Sequence, residues 1–440
     1  GGLFPAAATA QSYQLVTITS DLESGKRYLI VAESGGTYYA WSGFSMQGGT
    51  ATPISVSNGT ITSAGKAAPM QLVQSGEMWK IIDLSTEKYV GAVSSANSLE
   101  ESSDFSSINS NRFLWYISFE NENNRTRTLV QSNANESNYL KFNNKAGIIG
   151  TYFGIYGISN FKDISLYKEV LTSGSPLTLY NGIDNTAIID AATGSTFDVT
   201  LKNRKLIMDG KWNTLCLPFS LTSLTGTPLD GATIMELDKD GNYKKVNDVW
   251  AKADDGTKKT GFDANSGTLY LFFETATSIV AGKPYIIKWD NASGTIDDPT
   301  FSNVTISNTT IDVPSQDGYV TFKGGYNVKP ITGVDQSILF LGSGNNVYYP
   351  NAAMNINAFR AYFQLNNGLT AGESVEGGGG HVRAFTLSFG DSETTEITTT
   401  NLTNRTKSDG AWHTLDGRRI DGKPTKRGLY INNGKKVAIK

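Results

Sequence analysis

Cysteine and histidine are scarce in this 440-residue chain, which contains a single cysteine, Cys216, and two histidines, His381 and His413. One cysteine cannot form an internal disulfide, and two histidines exclude a histidine-rich metal site. A cysteine nucleophile also needs a histidine base, and no sequence pattern pairs Cys216 with either histidine. We therefore predict a protein that is not an enzyme, with no catalytic residue, no metal site and no cofactor.

Long apolar runs and long helical patterns are also missing. No run approaches the length of a membrane-spanning helix, and no long stretch repeats Ala, Glu, Lys and Leu at helical spacing. Instead there are 46 glycines, many Ser, Thr and Asn, and short alternating apolar segments. These features predict an all-β protein, and the chain length predicts two or three domains.

Charge is unevenly distributed along the chain. The net charge is −3, but residues 405–440 contain ten basic and three acidic side chains. This balance predicts no nucleic-acid partner, and the basic side chains of the tail are expected to be solvated. Near the start, Ala8-Thr9-Ala10 has the small-residue pattern of a signal-peptidase site, which predicts a trimmed export signal; a disordered natural N-terminus is the alternative.

Residues 14–171 show weak internal recurrence, which predicts a first domain. Trp79-x-Ile81 and Trp115-x-Ile117 lie 36 residues apart, and each precedes an aromatic–aliphatic pair, Tyr89-Val90 and Tyr139-Leu140. Three imperfect units in this length favour a β-trefoil-like domain whose Trp and Ile side chains share a core. A β-sandwich is the alternative.

Residues 172–390 contain clear strands separated by Gly, Asn and Asp turns, which predicts a central β-sandwich of antiparallel strands. In NAFRAYFQL, alternation places Phe359, Ala361, Phe363 and Leu365 on one face. Residues 391–410 are rich in Ser and Thr and are expected to be a linker. Residues 411–440 form a basic β tail.

The tail ends in GLYINNGKKVAIK, where Asn-Gly predicts a hairpin. A two-residue loop pairs Tyr430 with Val437 and mixes apolar and charged residues on both faces. A three-residue loop pairs Leu429 with Val437 and gathers Leu429, Ile431, Val437 and Ile439 on one face. Because a one-residue shift moves every side chain to the other face, the pattern favours the three-residue loop.

Candidate ligand contacts are aromatic and basic side chains near predicted turns, which could stack on sugars or anchor a ligand. They are Tyr39, Trp41, Tyr349, Arg360 and Tyr362. The stretch DKDGN (238–242) resembles the start of a calcium loop, but its later ligand positions are Tyr and Lys, so a turn is expected. Paired carboxylates for glycoside hydrolysis remain an alternative that no spacing singles out.

Two stretches resemble known families. The tail residues Leu415, Gly417 and Arg418, then Gly428-Leu429-Tyr430 and the Lys-rich end, are similar to the tails of type IX secretion sorting domains in Bacteroidales. The segments WNTLCLPFSL, AGKPYIIKW and NAFRAYFQL resemble a β domain of uncharacterised surface proteins of the same bacteria, which are described as cell-adhesion proteins. The resemblance implies an extracytoplasmic location, either secreted or at the outer membrane or cell surface of a Gram-negative bacterium.

The sequence therefore predicts a secreted or surface-displayed, non-catalytic binding and cell-adhesion protein. Its expected partners are a host or bacterial surface glycan or protein and, through the tail, an export or anchoring machinery. Two alternatives are a glycan-processing enzyme that uses two carboxylates and a carbohydrate-binding module of a polysaccharide-utilisation system. A cleft with two facing acids and several exposed aromatic rings would favour the enzyme.

Overall fold

The computed structural model describes residues 11–93, 97–103, 110–122, 125–145, 152–342, 345–372, 380–390, 394–398, 412–413, 419–420, 423–432 and 435–439. The Ala8-Thr9-Ala10 pattern lies outside these residues, as does most of the predicted linker. The chain divides into two compact units. The first unit comprises Gly1–Arg204 and Asp297–Asn308, and the second comprises Lys205–Ile296 and Thr309–Lys440.

The described residues are almost entirely β, as the composition predicts, with one α-helix and two short 3-10 helices, Thr19–Asp21 and Asn111–Phe113. The first elements are β1 Ser12–Leu15, β2 Arg27–Ser34, β3 Thr37–Ser45, β4 Gly48–Ile54, β5 Thr60–Ile61, β6 Met70–Ser75, β7 Met78–Asp83, β8 Lys88–Ala92, β9 Leu99–Ser102, β10 Trp115–Glu122, β11 Arg125–Ser132, β12 Asn138–Phe142, β13 Phe153–Gly157 and β14 Lys162–Val170. They are followed by β15 Pro176–Tyr180, α1 Thr186–Ala192 and β16 Thr196–Lys202.

The remaining strands belong to the second unit, with two exceptions. Strand β26 lies in the first unit, and the last residue of β25, Asp297, is the first residue of the segment that returns to the first unit. They are β17 Lys205–Ile207, β18 Asn213–Cys216, β19 Thr233–Leu237, β20 Tyr243–Val246, β21 Val249–Lys252, β22 Gly261–Asp263, β23 Thr268–Ala276, β24 Pro284–Lys288, β25 Thr295–Asp297, β26 Thr300–Thr305, β27 Val313–Pro314, β28 Val320–Gly325, β29 Lys329–Ile331, β30 Ile338–Leu341, β31 Val347–Tyr348, β32 Met354–Ile356, β33 Arg360–Leu365, β34 Ala384–Ser388, β35 Thr394–Thr398, β36 Trp412–His413, β37 Arg419–Ile420, β38 Gly428–Asn432 and β39 Lys435–Ile439.

The first unit repeats one strand order three times. Strand β2 pairs with β6, β6 with β7, β7 with β10, β10 with β11, β11 with β12, β12 with β14, and β14 with β2 again. Between these strands lie three hairpins, β3–β4, β8–β9 and β12–β13. The result is a barrel-like sheet with a hairpin in each third of the sequence, which agrees with the three recurring units.

The recurring Trp and Ile residues form the centre of this barrel-like sheet. Trp79 and Trp115 are directly opposite each other on β7 and β10. Together with Ile81 and Ile117, they belong to one buried cluster. Their shared core is as predicted, because alternate residues of a strand face the same side of a sheet.

The division between the units differs from the predicted domain boundary at residue 172. The segment that follows the barrel packs on it, with Tyr180 and Ile183 against Ile82 and Leu84. The guanidinium of Arg27 also lies 5.0 Å from the centre of the Tyr180 ring. This segment forms a small sheet in which β15 pairs with β16 and β16 pairs with β26. Strand β26 is about 100 residues away from β16 in the sequence, and no local pattern indicates that the two strands pair. The sequence analysis therefore placed β26 in the central domain.

The second unit contains two sheets that contribute to one core. One sheet has the order β18-β24-β19-β23-β34-β35, and the other has the order β27-β28-β33-β30-β31. Ala361, Phe363 and Leu365 of β33 pack in the same buried cluster as Leu271 of β23 and Phe385 of β34. The predicted alternation is therefore observed from Ala361 to Leu365. Phe359, the fourth residue predicted on this face, is buried but precedes β33 with a backbone φ of 63°. Strands β23 and β34 are parallel, however, whereas antiparallel pairs were expected.

Part of the predicted linker at residues 391–410 is ordered as a strand. Residues 394–398 form β35, which pairs antiparallel with β34. The apolar-poor Ser/Thr composition predicted a linker, but an edge strand needs only backbone hydrogen bonds from one neighbour. The other residues of the predicted linker lie outside the described part of the chain.

The tail hairpin forms in a register different from the predicted one. Tyr430 pairs with Val437, and two residues separate the paired ends of β38 and β39. Leu429, which was expected to be buried, is 54% exposed. The prediction was wrong because it grouped only the aliphatic side chains and left Tyr430 on the other face. The Tyr430 ring meets the ring of Trp412, with the centroids 6.5 Å apart. Two-residue Asn-Gly loops are also the favoured hairpin turns.

We expect Gly49→Ala to destabilise the first unit. A Cβ atom at Gly49 would overlap the six-membered ring of Trp41, which is 1% exposed and has no room to move. Such overpacking typically lowers the free energy of unfolding by about 1–3 kcal/mol, measurable by urea denaturation. The control is Gly157→Ala, whose Cβ would meet only the Asn160 side-chain amide, at an ordinary 3.4 Å. Equal stability of both variants would contradict the packing argument.

Candidate functional site

An open cleft of about 520 Å³ lies at one of the hairpins of the first unit. We call it the first cleft. The turn between β3 and β4 forms one side, and β8 and β9 form the other; the Leu99 amide donates to the Gln47 carbonyl across them at 2.8 Å. The lining residues are Phe44, Met46, Gln47, Lys88, Val93, Ser98, Leu99, Glu100 and Glu101.

The first cleft combines an apolar wall with polar groups. The Phe44 ring is half-buried, whereas Met46 is 71% exposed and has a backbone φ of 58°. A positive φ is unusual for a residue other than glycine, so the turn holds Met46 at a conformational cost. Opposite, Ser98 Oγ donates to Gln47 Oε1 at 3.0 Å. An apolar surface beside hydrogen-bonding groups is a common composition of ligand sites.

A buried carboxylate lies behind the first cleft. Asp83, which is fully buried, accepts hydrogen bonds at Oδ2 from the Trp41 indole at 3.0 Å and at Oδ1 from the Ser85 amide and hydroxyl at 2.9 and 2.6 Å. Glu101 reaches the same carboxylate with its side chain and accepts from Thr86 Oγ1 at 3.0 Å. A buried charge is stable only when hydrogen bonds surround it in this way.

The surroundings of Glu101 favour its protonated form. Burial, followed by the nearby charge of Asp83, raises the pKa of Glu101 to about 8. A protonated Glu101 can donate a hydrogen bond to the Asp83 side chain. Glycosidases separate their two carboxyl groups by roughly 5–5.5 Å or 6.5–9.5 Å. Two acids in hydrogen-bonding contact do not have that geometry.

Sequence reasoning missed Asp83 and Glu101. The two positions are separated by the turn at 83–88 and by β8, and no spacing in the sequence connects them. Only the pairing of β8 with β9, with Val90 opposite Glu101, brings Glu101 back towards the turn. To find this contact from the sequence, the register of the β8–β9 hairpin would have to be known.

Trp41 and Tyr39 lie on β3 but are not exposed sugar-stacking rings. Trp41 is almost fully buried, with its ring centroid 5.6 Å from that of Phe153. Its indole instead positions Asp83 behind the first cleft. Tyr39 is half-buried and stacks on Phe142 at 5.3 Å. Tyr38 packs in a different cluster on the opposite side of the sheet, as expected for neighbouring residues of a strand.

The other three candidates lie in the second unit. Tyr349 packs against the core between the two sheets. Arg360 and Tyr362 share one face of β33, where Lys329 Nζ lies 5.5 Å from the centre of the Tyr362 ring. Burial lowers the pKa of Arg360, whose Nη1 donates to the Ala358 carbonyl at 3.4 Å. The structure thus groups Arg360 with Tyr362, and places Tyr349 elsewhere in the same unit.

A second open cleft, of about 540 Å³, lies in the second unit. We call it the second cleft. Its lining residues are Asn242, Thr257, Lys258, Lys259, Thr260, Gly261, Phe262, Asp263, Tyr270, Gln316 and Asp317. Seven of them, residues 257–263, form β22 and the segment that leads into it. The Phe262 ring is half-buried and meets the ring of Tyr319, with the centroids 5.5 Å apart.

The DKDGN stretch beside the second cleft is a turn, as predicted. Asp238 Oδ1 accepts from the backbone amides of Asp240 and Gly241 at 3.2 and 2.9 Å, and Oδ2 accepts from Tyr243 Oη at 2.7 Å. Lys252 also pairs with this carboxylate at 2.9 Å. The oxygens that would bind calcium are therefore occupied. Within the described ranges, no group of three His, Cys, Asp or Glu side chains is placed to hold a metal ion.

Cys216 is fully buried, and burial raises its pKa to about 12. A thiol with such a pKa is neither a thiolate nucleophile nor a metal ligand at neutral pH. His381 forms an isolated bridge with Thr370. The side chain of His413 lies outside the described part of the chain.

No protein-family model and no curated protein matches the chain. Among solved structures, the chain is similar to the BEL β-trefoil, with 13% identity, a TM-score of 0.26, and coverage of 35% of this chain and 100% of the other. A designed threefold-symmetric protein, ThreeFoil, matches with 14% identity and a TM-score of 0.23, covering 33% and 99%. A mosquitocidal holotoxin matches with 10% identity and a TM-score of 0.26, covering 79% of this chain and 35% of the toxin.

In the portion of the chain that the structure describes, no helix is both long enough and apolar enough to cross a membrane.

We expect Glu101→Gln to change how stability depends on pH. In the folded protein the pKa of Glu101 is about 8, above its ordinary value of 4.5. Its contribution to stability is therefore fully present below pH 4.5 and is lost as the pH rises through 8. Glutamine cannot ionise, so the variant should lose this part of the pH dependence, as measured by urea unfolding between pH 5 and 8.5.

The control for this measurement is Glu100→Gln. The Glu100 carboxylate pairs with Arg112 Nε at 3.0 Å and is the neighbouring position on β9. This variant should keep the pH dependence of the wild type. If Glu101→Gln also keeps it, burial beside Asp83 does not raise the pKa of Glu101.

Proposed function

We propose that the protein is a secreted or surface-displayed, non-catalytic binding protein that attaches to glycans, with the first cleft as its ligand site. The observation that carries this proposal is the composition of the cleft. An exposed Met46 and the edge of the Phe44 ring offer an apolar surface, and Gln47, Ser98 and Glu101 offer hydrogen-bonding groups beside it. Sugars present apolar C–H faces and hydroxyl edges, so they need both kinds of contact.

The geometry of the acids favours binding over hydrolysis. A glycosidase needs one carboxylate as a nucleophile or base and a second carboxyl group as the acid, on either side of the scissile bond. Asp83 is buried behind Glu101 and its oxygens accept from Trp41 and Ser85, so it cannot reach a substrate. The alternative of a two-carboxylate enzyme therefore lacks its second acid at this cleft.

We also propose a specific fold for each unit, based on the order of its strands. The threefold order of the first unit is that of a β-trefoil, and the two sheets of the second unit form a β-sandwich around one core. Hairpins and loops of such all-β frameworks commonly present binding residues. The position of the first cleft at the β3–β4 and β8–β9 hairpins agrees with this role.

The proposed location is extracytoplasmic, in a Gram-negative bacterium. It rests on the resemblance of the tail to type IX sorting tails. The tail strands β36, β37, β38 and β39 form a small sheet of their own. An export or anchoring machinery would bind this basic sheet, whose strands pair only with one another among the described residues. Fractionation of cells that produce the full chain, with and without residues 411–440, tests the tail's part in export.

We expect the purified protein to bind specific structures on a glycan array, and Met46→Ala to weaken that binding. Loss of the exposed Met side chain removes apolar contact worth about 1 kcal/mol, or roughly a fivefold change in affinity. The control is Ile18→Ala, because Ile18 is 51% exposed in the same unit but does not line the cleft. Equal loss of binding in both variants would contradict the assignment of the site.

The same experiment tests for catalysis. Glycans that bind should be recovered unchanged after prolonged incubation, as measured by mass spectrometry and by reducing-end release. Cleavage that disappears in Glu101→Gln would replace the binding proposal with the enzyme.

A further inference from the structure

Most of the carboxylate acceptors that line the second cleft already accept hydrogen bonds from other groups of the protein. Asp317 accepts at Oδ2 from the Phe262 amide at 2.8 Å and at Oδ1 from Ser315 Oγ and the Tyr319 amide at 2.7 and 3.0 Å. Asp263 accepts at Oδ2 from Lys258 Nζ at 2.7 Å. These hydrogen bonds orient both carboxylates towards protein groups and away from a ligand in the cleft. A ligand that donates hydrogen bonds would find few free acceptors on these acids.

The donors of the second cleft are in excess. Lys259 Nζ donates to the Asp240 carbonyl at 2.6 Å. The charge of the Asp240 carboxylate also acts on Lys259, but that carboxylate already pairs with Lys239 at 3.0 Å and accepts from Gln316 at 2.9 Å. An ammonium has three N–H groups, so two remain for a ligand. Within the described residues, the Asn242 amide, the Thr257 hydroxyl and the Tyr270 hydroxyl, which line the same cleft, make no side-chain hydrogen bond. Together these groups suit an acceptor-rich, negatively charged ligand.

The cleft also has an apolar surface and the right size. Phe262 lines it with a half-buried ring, and Lys258 lies over the Tyr270 ring, with Nζ 5.5 Å from its centre. Its volume of about 540 Å³ falls within the range of roughly 300–1,000 Å³ of small-molecule sites. A sugar ring would place a C–H face against Phe262 while its edge faces the donors.

We infer that the second cleft is a separate binding site for a sugar that carries a carboxylate. The carboxylate would accept from Lys259, and ring hydroxyl oxygens would accept from Asn242, Thr257 and Tyr270. The second unit would then recognise acidic sugars independently of the first cleft. Binding of the charged sugar should therefore weaken as ionic strength rises, because salt screens a partly exposed charge pair.

The probes for this site are D-glucuronate and D-glucose, which share one ring and differ by the carboxylate at C6. The full-length protein should bind glucuronate and bind glucose at least tenfold more weakly, as measured by saturation-transfer NMR and isothermal titration calorimetry. Equal binding of the two sugars, or no binding of glucuronate, would overturn the inference. Raising the salt concentration should weaken glucuronate binding and leave glucose unchanged.

Two variants locate the site. Lys259→Met keeps the length of the side chain and removes its charge, so glucuronate binding should fall about tenfold, as expected when a charge-assisted hydrogen bond is lost. The matched control is Lys244→Met, an exposed lysine of the same unit that pairs with Asp255 at 2.7 Å and does not line the cleft. If both variants lose binding equally, or neither does, glucuronate binds elsewhere and the inference fails.

Tyr270→Phe removes only the hydroxyl and retains the packed ring. Binding should weaken about threefold, the effect of one neutral hydrogen bond, with unfolding in urea unchanged. Ile18→Ala, at an exposed residue that lines neither cleft, should leave glucuronate binding at its wild-type value. Glycan binding at the first cleft is tested by Met46→Ala and glucuronate binding by Lys259→Met, so failure of the proposed function and failure of this inference are separate outcomes. Unchanged binding in Tyr270→Phe would remove the phenol from the proposed contacts and contradict the cleft assignment.

Discussion

The buried carboxylate of Asp83 connects three parts of the first unit. It accepts from Trp41 on β3, from Ser85 in the turn after β7, and it faces Glu101 on β9. Burying a carboxylate is costly, and the cost is offset only while all of these groups keep their positions. The hairpin that holds Met46, the turn and the β8–β9 hairpin are therefore fixed relative to one another. The shape of the first cleft depends on this one hydrogen-bonded centre.

The sequence was sufficient for the strands and for much of the core. Alternation correctly placed Phe363 and Leu365 on the buried face, and the recurrence of Trp79 and Trp115 correctly predicted a shared interior. Both inferences used residues within one strand or within equivalent strands. Such local patterns follow from the two-residue period of a β-strand, which a sequence displays directly.

The sequence was insufficient wherever two distant segments had to be aligned. The pairing of β16 with β26 and the contact of Glu101 with Asp83 depend on registers that no local pattern specifies. The tail hairpin is an instructive case, because two registers were weighed and the grouping of aliphatic side chains, which left Tyr430 on the other face, favoured the wrong one. An aromatic ring with a hydroxyl packs as an apolar body when another ring, here Trp412, is beside it. Trp41 was a candidate ligand contact because it is aromatic. The structure instead buries it behind the first cleft, where its indole donates to Asp83.

The return of the chain to the first unit at β26 has a consequence for protein synthesis. Strand β26 follows residues 205–296 of the second unit, so the ribosome makes a large part of one unit before it completes the other. Until then β16 has an open edge on the side that β26 will cover. An uncovered edge can pair with another chain. The nascent protein therefore has an interval, about ninety residues long, in which a chaperone or an export partner has the greatest opportunity to bind.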